Sequence, residues 1–240
     1  MLSKEVLNKL AIKTQTSEDN IAREYVQHIF LSVLGQIEGA AKLLFKGGTA
    51  LRLIYKSPRY SEDLDFTGSG ISVKEIEDLL QEAFLEMERL GFIVHLEDAT
   101  TTTGGYLGKI YVEFYNYRIL IKLEISLRAK KKIEAATAFV ESDFVPNYLI
   151  YHLPQDILVG EKISALLSRG KPRDYFDAYF ILRNHLLPAN EKKKLKTVVE
   201  RLGKLKIDFK HELGRFLPQG FQPIIKKFEQ TLSQEIRRHI

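Results

Sequence analysis

The chain has no cysteine, which excludes a disulfide scaffold, a cysteine-based zinc site, an iron–sulfur cluster and a thiol nucleophile. Its six histidines are scattered, no two at a metal-ligand spacing. No apolar run approaches the roughly 20 residues that a membrane helix needs, and residues 1–16 alternate lysine with leucine and isoleucine instead of forming the apolar stretch of a signal peptide. A cytoplasmic protein with no membrane partner is expected. What is present is ordinary for a globular chain: 240 residues, 45% hydrophobic and 28% charged, enough to bury a substantial core and outside the disordered, collagen and coiled-coil classes.

Charge is unevenly spread. The formal total is +5, but residues 185–240 hold 13 Lys+Arg against 6 Asp+Glu, or +7, leaving 23 against 25, or −2, for residues 1–184. A basic C-terminal quarter fits a polyanionic partner, although a lysine-rich helix is more often a solvated face.

Periodicity predicts helices over residues 3–36 in two pieces and a strand at Leu43-Leu44-Phe45 that stops at Gly47-Gly48 before a helix. A strand at 64–67 and an amphipathic helix over 72–90 follow. Strands are expected at 92–96, 109–115 and 118–127, the last two as a hairpin, with 100–105 a polar loop. From Pro154 the pattern is wholly helical, at 155–168, 173–184, 190–202 and 221–238. The fold expected is α+β: a small mixed sheet with N-terminal helices over residues 1–150, then a helical domain over 151–240.

Two stretches carry chemistry. In Lys46-Gly47-Gly48-Thr49-Ala50-Leu51 the glycines ahead of a helix leave amides that, with the Thr49 hydroxyl, suit phosphate oxygens. Alone this is commonly plain turn chemistry. In Arg59-Tyr60-Ser61-Glu62-Asp63-Leu64-Asp65-Phe66, Asp63 and Asp65 fall at i and i+2 of a strand and so share a face. Glu124, alternating with Ile121, Leu123 and Ile125, offers a third acid from a second strand. Two carboxylates about 4 Å apart repel by roughly 4 kcal/mol at an effective dielectric near 20, so three converging acids call for a cation such as Mg²⁺, the geometry used in phosphoryl and nucleotidyl transfer. The bland alternative is an exposed acid pair bound to Arg59 or nearby lysines.

The second stretch runs from Glu161-Lys162 through Arg169 to Arg173-Asp174-Tyr175-Phe176-Asp177. Lys162 and Arg169, seven apart, share a helix face, and so do Asp174 and Asp177, three apart. Arg173 is spaced to pair with Asp177 at i,i+4. Surface ion pairs of little worth are one reading. The other has Lys162 meeting nucleotide phosphates, Arg169 or Arg173 assisting, and Asp174 orienting the lysine.

Together these motifs, in this order across residues 45–180, resemble the AbiEii/MenT family of nucleotidyltransferase toxins from type IV toxin–antitoxin and abortive-infection systems. The resemblance implies a DNA-polymerase-β-like core with helical additions, a nucleoside triphosphate donor, Mg²⁺ or Mn²⁺, an RNA acceptor such as tRNA and a cognate antitoxin. Carried over by position, Gly47, Gly48 and Thr49 match the phosphate-binding turn, Asp63 and Asp65 the metal pair with Glu124 as third ligand, Lys162 the nucleotide-contacting lysine assisted by Arg169, and Asp174 the later acidic motif. The superfamily more often has Gly-Ser where this chain has Gly48-Thr49, which keeps the hydroxyl. A protein or small-molecule acceptor, or a binding module without activity, are the alternatives.

Overall fold

The computed structural model describes residues 1–129, 131–202 and 207–240. It divides into two compact units, one of residues 1–56 and 60–153, the other of 57–59 and 154–240.

The first unit is built on a seven-stranded mixed sheet. Its strands are β1 (Leu43–Lys46), β2 (Leu64–Gly68), β3 (Ile93–Thr102), β4 (Gly105–Phe114), β5 (Tyr117–Ser126), β6 (Ala136–Val140) and β7 (Tyr148–His152), in the order β3-β4-β5-β2-β1-β7-β6. β2 runs parallel to β5 and β1 parallel to β7, and the other neighbours are antiparallel. The helices are α1 (Lys4–Thr14), α2 (Glu18–Leu34), α3 (Gly47–Leu53) and α4 (Val73–Arg89).

Local chemistry accounts for these elements. The Ser17 side chain accepts from the Asn20 N–H at the start of α2, and Ser72 and Glu75 form a reciprocal capping box on α4. In α4 the buried residues Ile76, Leu79, Leu80, Ala83 and Met87 recur at helical spacing. α2 is buried almost all round and packs on β5, β7 and α4. Tyr25, Phe30, Phe45, Phe66, Leu123 and Ile125 form the core beneath the sheet.

One expectation for this unit changes, and two strands are added to it. The stretch 100–105 is not a loop: β3 continues to Thr102 and turns tightly into β4, with Thr102 opposite Gly105. Gly105 lets β5 approach this turn closely, because a Cβ there would lie 2.1 Å from the Ile125 carbonyl oxygen of β5. β6 and β7 are additional strands, and β7 joins β1 through one register pair, Phe45 with His152, and the Leu153 N–H donating to the Phe45 carbonyl.

The second unit contains α5 (Gln155–Ser168), α6 (Pro172–Arg183), α7 (Leu195–Leu202), α8 (Phe209–Leu213), α9 (Gln222–Lys226) and α10 (Phe228–Arg237). Phe228 is its packing centre, with Phe209 at 4.8 Å and Phe176 at 5.8 Å between ring centroids. The helix expected over 190–202 begins as a 3₁₀ segment, Ala189–Lys194, and the one expected over 221–238 is interrupted at Lys227.

Candidate active site

In the first unit the site begins at the junction of β1 and α3. Gly47 has φ +84°, and a Cβ on it would sit 1.9 Å from Oδ2 of Asp65. The turn is glycine for two reasons: the backbone is left-handed, and the Asp65 carboxylate occupies the space a side chain would need. Register then places three functional residues in a row across the sheet. Lys46 of β1 is opposite Asp65 of β2, and Asp65 is opposite Glu124 of β5. On β2 Leu64 and Phe66 are buried on the helix-covered face, and on β5 Leu123 and Ile125 are too. Alternation therefore puts Asp65 and Glu124 together on the opposite face. They line a cleft of about 430 Å³ with Lys46, Tyr106, Ser126 and Arg128.

Asp63 does not join that row. β2 starts at Leu64, so Asp63 lies outside the ladder and the i, i+2 alternation does not govern its side chain. Its carbonyl accepts the hydroxyl of Thr49, a residue only 1% exposed. The threonine hydroxyl is thus committed to holding α3 against the entry of β2. Among the described residues no three histidine or carboxylate side chains gather around a common metal position. Strand register thus brings Asp65 and Glu124 of the expected three acids side by side, while Asp63 stands one residue ahead of the ladder. A pair still fits the chemistry: Mg²⁺ is characteristically held by one or two carboxylates, with waters and substrate phosphates completing its octahedron. The cleft beside this pair also carries the cations that phosphates would meet.

In the second unit, α5 and α6 form a hairpin tied by two cation–carboxylate pairs. Arg169 donates from Nε and Nη2 to the two oxygens of Asp174, both at 2.8 Å, and Asp174 also accepts the Lys171 N–H at 3.1 Å. Farther from the turn, Lys162 Nζ donates to Asp177 Oδ2 at 2.8 Å. Arg59 grips the same carboxylate in bidentate fashion, at 2.8 and 3.0 Å. Asp177 is 1% exposed. Burial pushes its carboxyl up, but Arg59 and Lys162 outweigh burial and hold it down at about 2.

Two expected pairings are corrected here. Lys162 is oriented by Asp177 and not by Asp174, because in a hairpin the residue nearer the turn on one arm meets the residue nearer the turn on the other. Arg173 lies 3.9 Å from Glu212 and does not serve Asp177, whose oxygens are taken by Arg59 and Lys162. Arg59 and Asp177 are thus the partners that sequence reasoning missed. The signal was an arginine ahead of the Asp-Leu-Asp stretch and an aspartate three residues after Asp174, with nothing to link them.

A strand, glycine turn, short helix and returning strand, with an acid facing a second acid on the adjacent parallel strand, define a nucleotidyltransferase core. The chain belongs to the family described as "Nucleotidyl transferase AbiEii toxin, Type IV TA system", whose model matches residues 29–238. Two solved structures share the fold. A candidate nucleotidyltransferase from H. pylori is 19% identical, with 93% of this chain and 95% of that one covered at a TM-score of 0.67. JHP933 from Helicobacter pylori is 20% identical, with 93% of each chain covered at 0.65. No curated protein sequence matches significantly. Among the described residues no helix is long and apolar enough to cross a membrane.

Proposed function

We propose that this protein is a Mg²⁺-dependent nucleotidyltransferase toxin that moves a nucleoside monophosphate from a nucleoside triphosphate to an RNA acceptor, with tRNA as the expected RNA, in the cytoplasm. The observation that carries the reading is the row Lys46, Asp65, Glu124 beside a glycine turn moulded to the Asp65 carboxylate. An oxygen of the acceptor hydroxyl bonds to the α-phosphorus, the α–β bridging P–O bond breaks, and pyrophosphate leaves. Asp65 and Glu124 would hold the metal, with Asp63 a further candidate ligand, and a divalent ion bound there supplies Lewis-acid charge to phosphoryl oxygens. One of these carboxylates accepts the proton of the acceptor hydroxyl. Gly47, Gly48 and Thr49 present backbone amides to the triphosphate. Lys162, oriented by Asp177, and Arg169, oriented by Asp174, are further candidate phosphate-binding cations. Family membership supports an antitoxin as the partner that restrains the enzyme.

The test is to incubate the protein with Mg²⁺, each labelled triphosphate and total tRNA, beside Asp65→Asn. Label on RNA that falls at least a hundredfold in a variant of unchanged thermal midpoint supports the reading, as does loss of Mn²⁺ binding in that variant. Equal labelling by both proteins, or no labelled RNA with any triphosphate, overturns it. Label on protein or on a small alcohol, with tRNA unlabelled, selects the alternative acceptors.

A further inference from the structure

The cleft of Asp65 and Glu124 holds a cation that neither motif reading used. Arg128 follows the end of β5, lines the cleft, and makes no hydrogen bond or ion pair among the described residues. It is nonetheless placed by structure. The Leu127 N–H donates to the Gly104 carbonyl at 2.8 Å, stitching the chain just before Arg128 to the β3–β4 turn. The side chain then lies across Gly104: a Cβ there would be 2.4 Å from Nε and 3.0 Å from Cγ of Arg128. Gly104 and Gly105 thus divide the work. Gly105 lets the β5 backbone close on the turn, and Gly104 leaves a bare surface on which the arginine rests.

The charges of the cleft say what this arginine is for. Its lining includes Lys46 and Arg128 against Asp65 and Glu124, so the side chains balance. With the two carboxylates occupied in holding a divalent cation, the cleft is left with an excess of positive charge and an uncommitted planar fork of N–H donors. That fork matches phosphate oxygens in bidentate geometry.

We propose that Arg128 is a substrate-binding residue that takes a phosphate group in this cleft, with Gly104 as the residue that sets where its guanidinium lies. The proposal rests on the nucleotidyl-transfer reading. It adds a contact from the end of β5, separate from the glycine turn and from Lys162. The phosphate comes from the triphosphate tail of the donor or from the backbone of the RNA acceptor, and the experiment separates these sources.

The test uses the full chain, wild type and three variants: Arg128→Ala, Arg128→Lys and Gly104→Ala. Gly104→Ala keeps the charge and moves only the flexible arginine that occupies the space. Binding of magnesium tripolyphosphate and of the four triphosphates is titrated calorimetrically, and KM for tRNA is measured. Removal of a charge-assisted phosphate interaction in Arg128→Ala weakens binding about tenfold to a hundredfold. Arg128→Lys recovers part of this, and Gly104→Ala weakens binding severalfold with its thermal midpoint unchanged. Weaker tripolyphosphate and triphosphate binding assigns the interaction to the donor. A raised KM for tRNA with triphosphate binding intact assigns it to the acceptor. Wild-type behaviour of Arg128→Ala and Gly104→Ala in both arms overturns the proposal, and so does a wild-type protein that binds no phosphate compound. If the wild-type protein binds tripolyphosphate in an Arg128-dependent way yet labels no acceptor, the transfer reading fails and the phosphate site stands.

Discussion

At the scale of single residues, the densest electrostatics surround Asp177. Two cations share one carboxylate that is 1% exposed, so its removal leaves Arg59 and Lys162 facing each other across the space it filled. Asp177→Ala is expected to cost about 3–5 kcal/mol in urea unfolding, the usual result of orphaning a buried charge. Adding Lys162→Met should return part of that loss, because one uncompensated cation goes with it. An additive double-mutant cycle would show that the two side chains are not coupled. Acid acts on a second buried group as well. His28 lies beneath Phe144 with Nδ1 2.9 Å from the Tyr148 hydroxyl, and burial, with lesser help from Lys56 and Arg52, lowers its pKa to about 3. The unfolded chain takes up this proton near pH 6.5 and the folded chain does not, so His28 makes stability fall as pH drops from about 6.5 toward 3. The slope is about 1.4 kcal/mol per pH unit. Asp177 works in a lower window: its stabilisation is complete above the unfolded carboxyl value near 4 and is lost as pH falls toward its folded value of about 2. Urea midpoints of the wild type and His28→Gln between pH 7 and 5 separate the two, since of this pair only the histidine titrates there; His152, whose pKa burial also lowers, adds a slope of the same sign in both proteins. A slope no smaller in His28→Gln than in the wild type would remove this account.

Among the elements, the β1–turn–α3 junction bears the most specific constraint. Gly47→Ala forces a side chain into a left-handed backbone, at about 1–3 kcal/mol, and into the space of the Asp65 carboxylate, 1.9 Å away. Nucleotide transfer should fall at least a hundredfold, well beyond what the lost stability explains at 25 °C, because the acid itself must swing out of line. Activity near wild type would mean that Asp65 does not work from this position. This junction was legible in the sequence, since Gly-Gly after a short apolar run is a strong local signal and strict alternation in 121–125 put Glu124 opposite its buried neighbours. The helix over 72–90 was legible for the same kind of reason, through Ser72 and Glu75. Asp63 was less legible, because alternation holds only inside the ladder and one residue of strand boundary leaves it ahead of the register that pairs Asp65 with Glu124. β6 and β7 were hidden because they are five residues each and β7 is held to β1 by a single register pair. The partner of Asp177 was hidden by distance, Arg59 being 118 residues away along the chain.

For the molecule as a whole, the uneven charge acquires a physical form. The acids of the first unit include the pair that a divalent cation would neutralise, so the −2 of residues 1–184 overstates the negative potential an RNA would meet. Part of the +7 of residues 185–240 is carried by lysines around the 3₁₀ segment and α7, where Lys192, Lys193 and Lys196 are exposed while Lys194 is held by Glu191 at 2.9 Å. Lys204 and Lys206 also contribute and lie outside the described residues. Exposed lysines with no bidentate fork bind RNA as point charges through its phosphates, without reading bases. Reversing Lys192, Lys193 and Lys196 to glutamate should therefore raise KM for tRNA severalfold to tenfold. It should also flatten the dependence of log KM on log salt, by about 0.7 for each phosphate of single-stranded RNA that is no longer neutralised. Binding of the triphosphate should be unchanged, since none of these three lysines belongs to the proposed nucleotide site. The two readouts separate this surface from the cleft: a triple variant with unaltered KM and unaltered salt slope would make these lysines a solvated face, and acceptor recognition would have to be sought elsewhere in the chain.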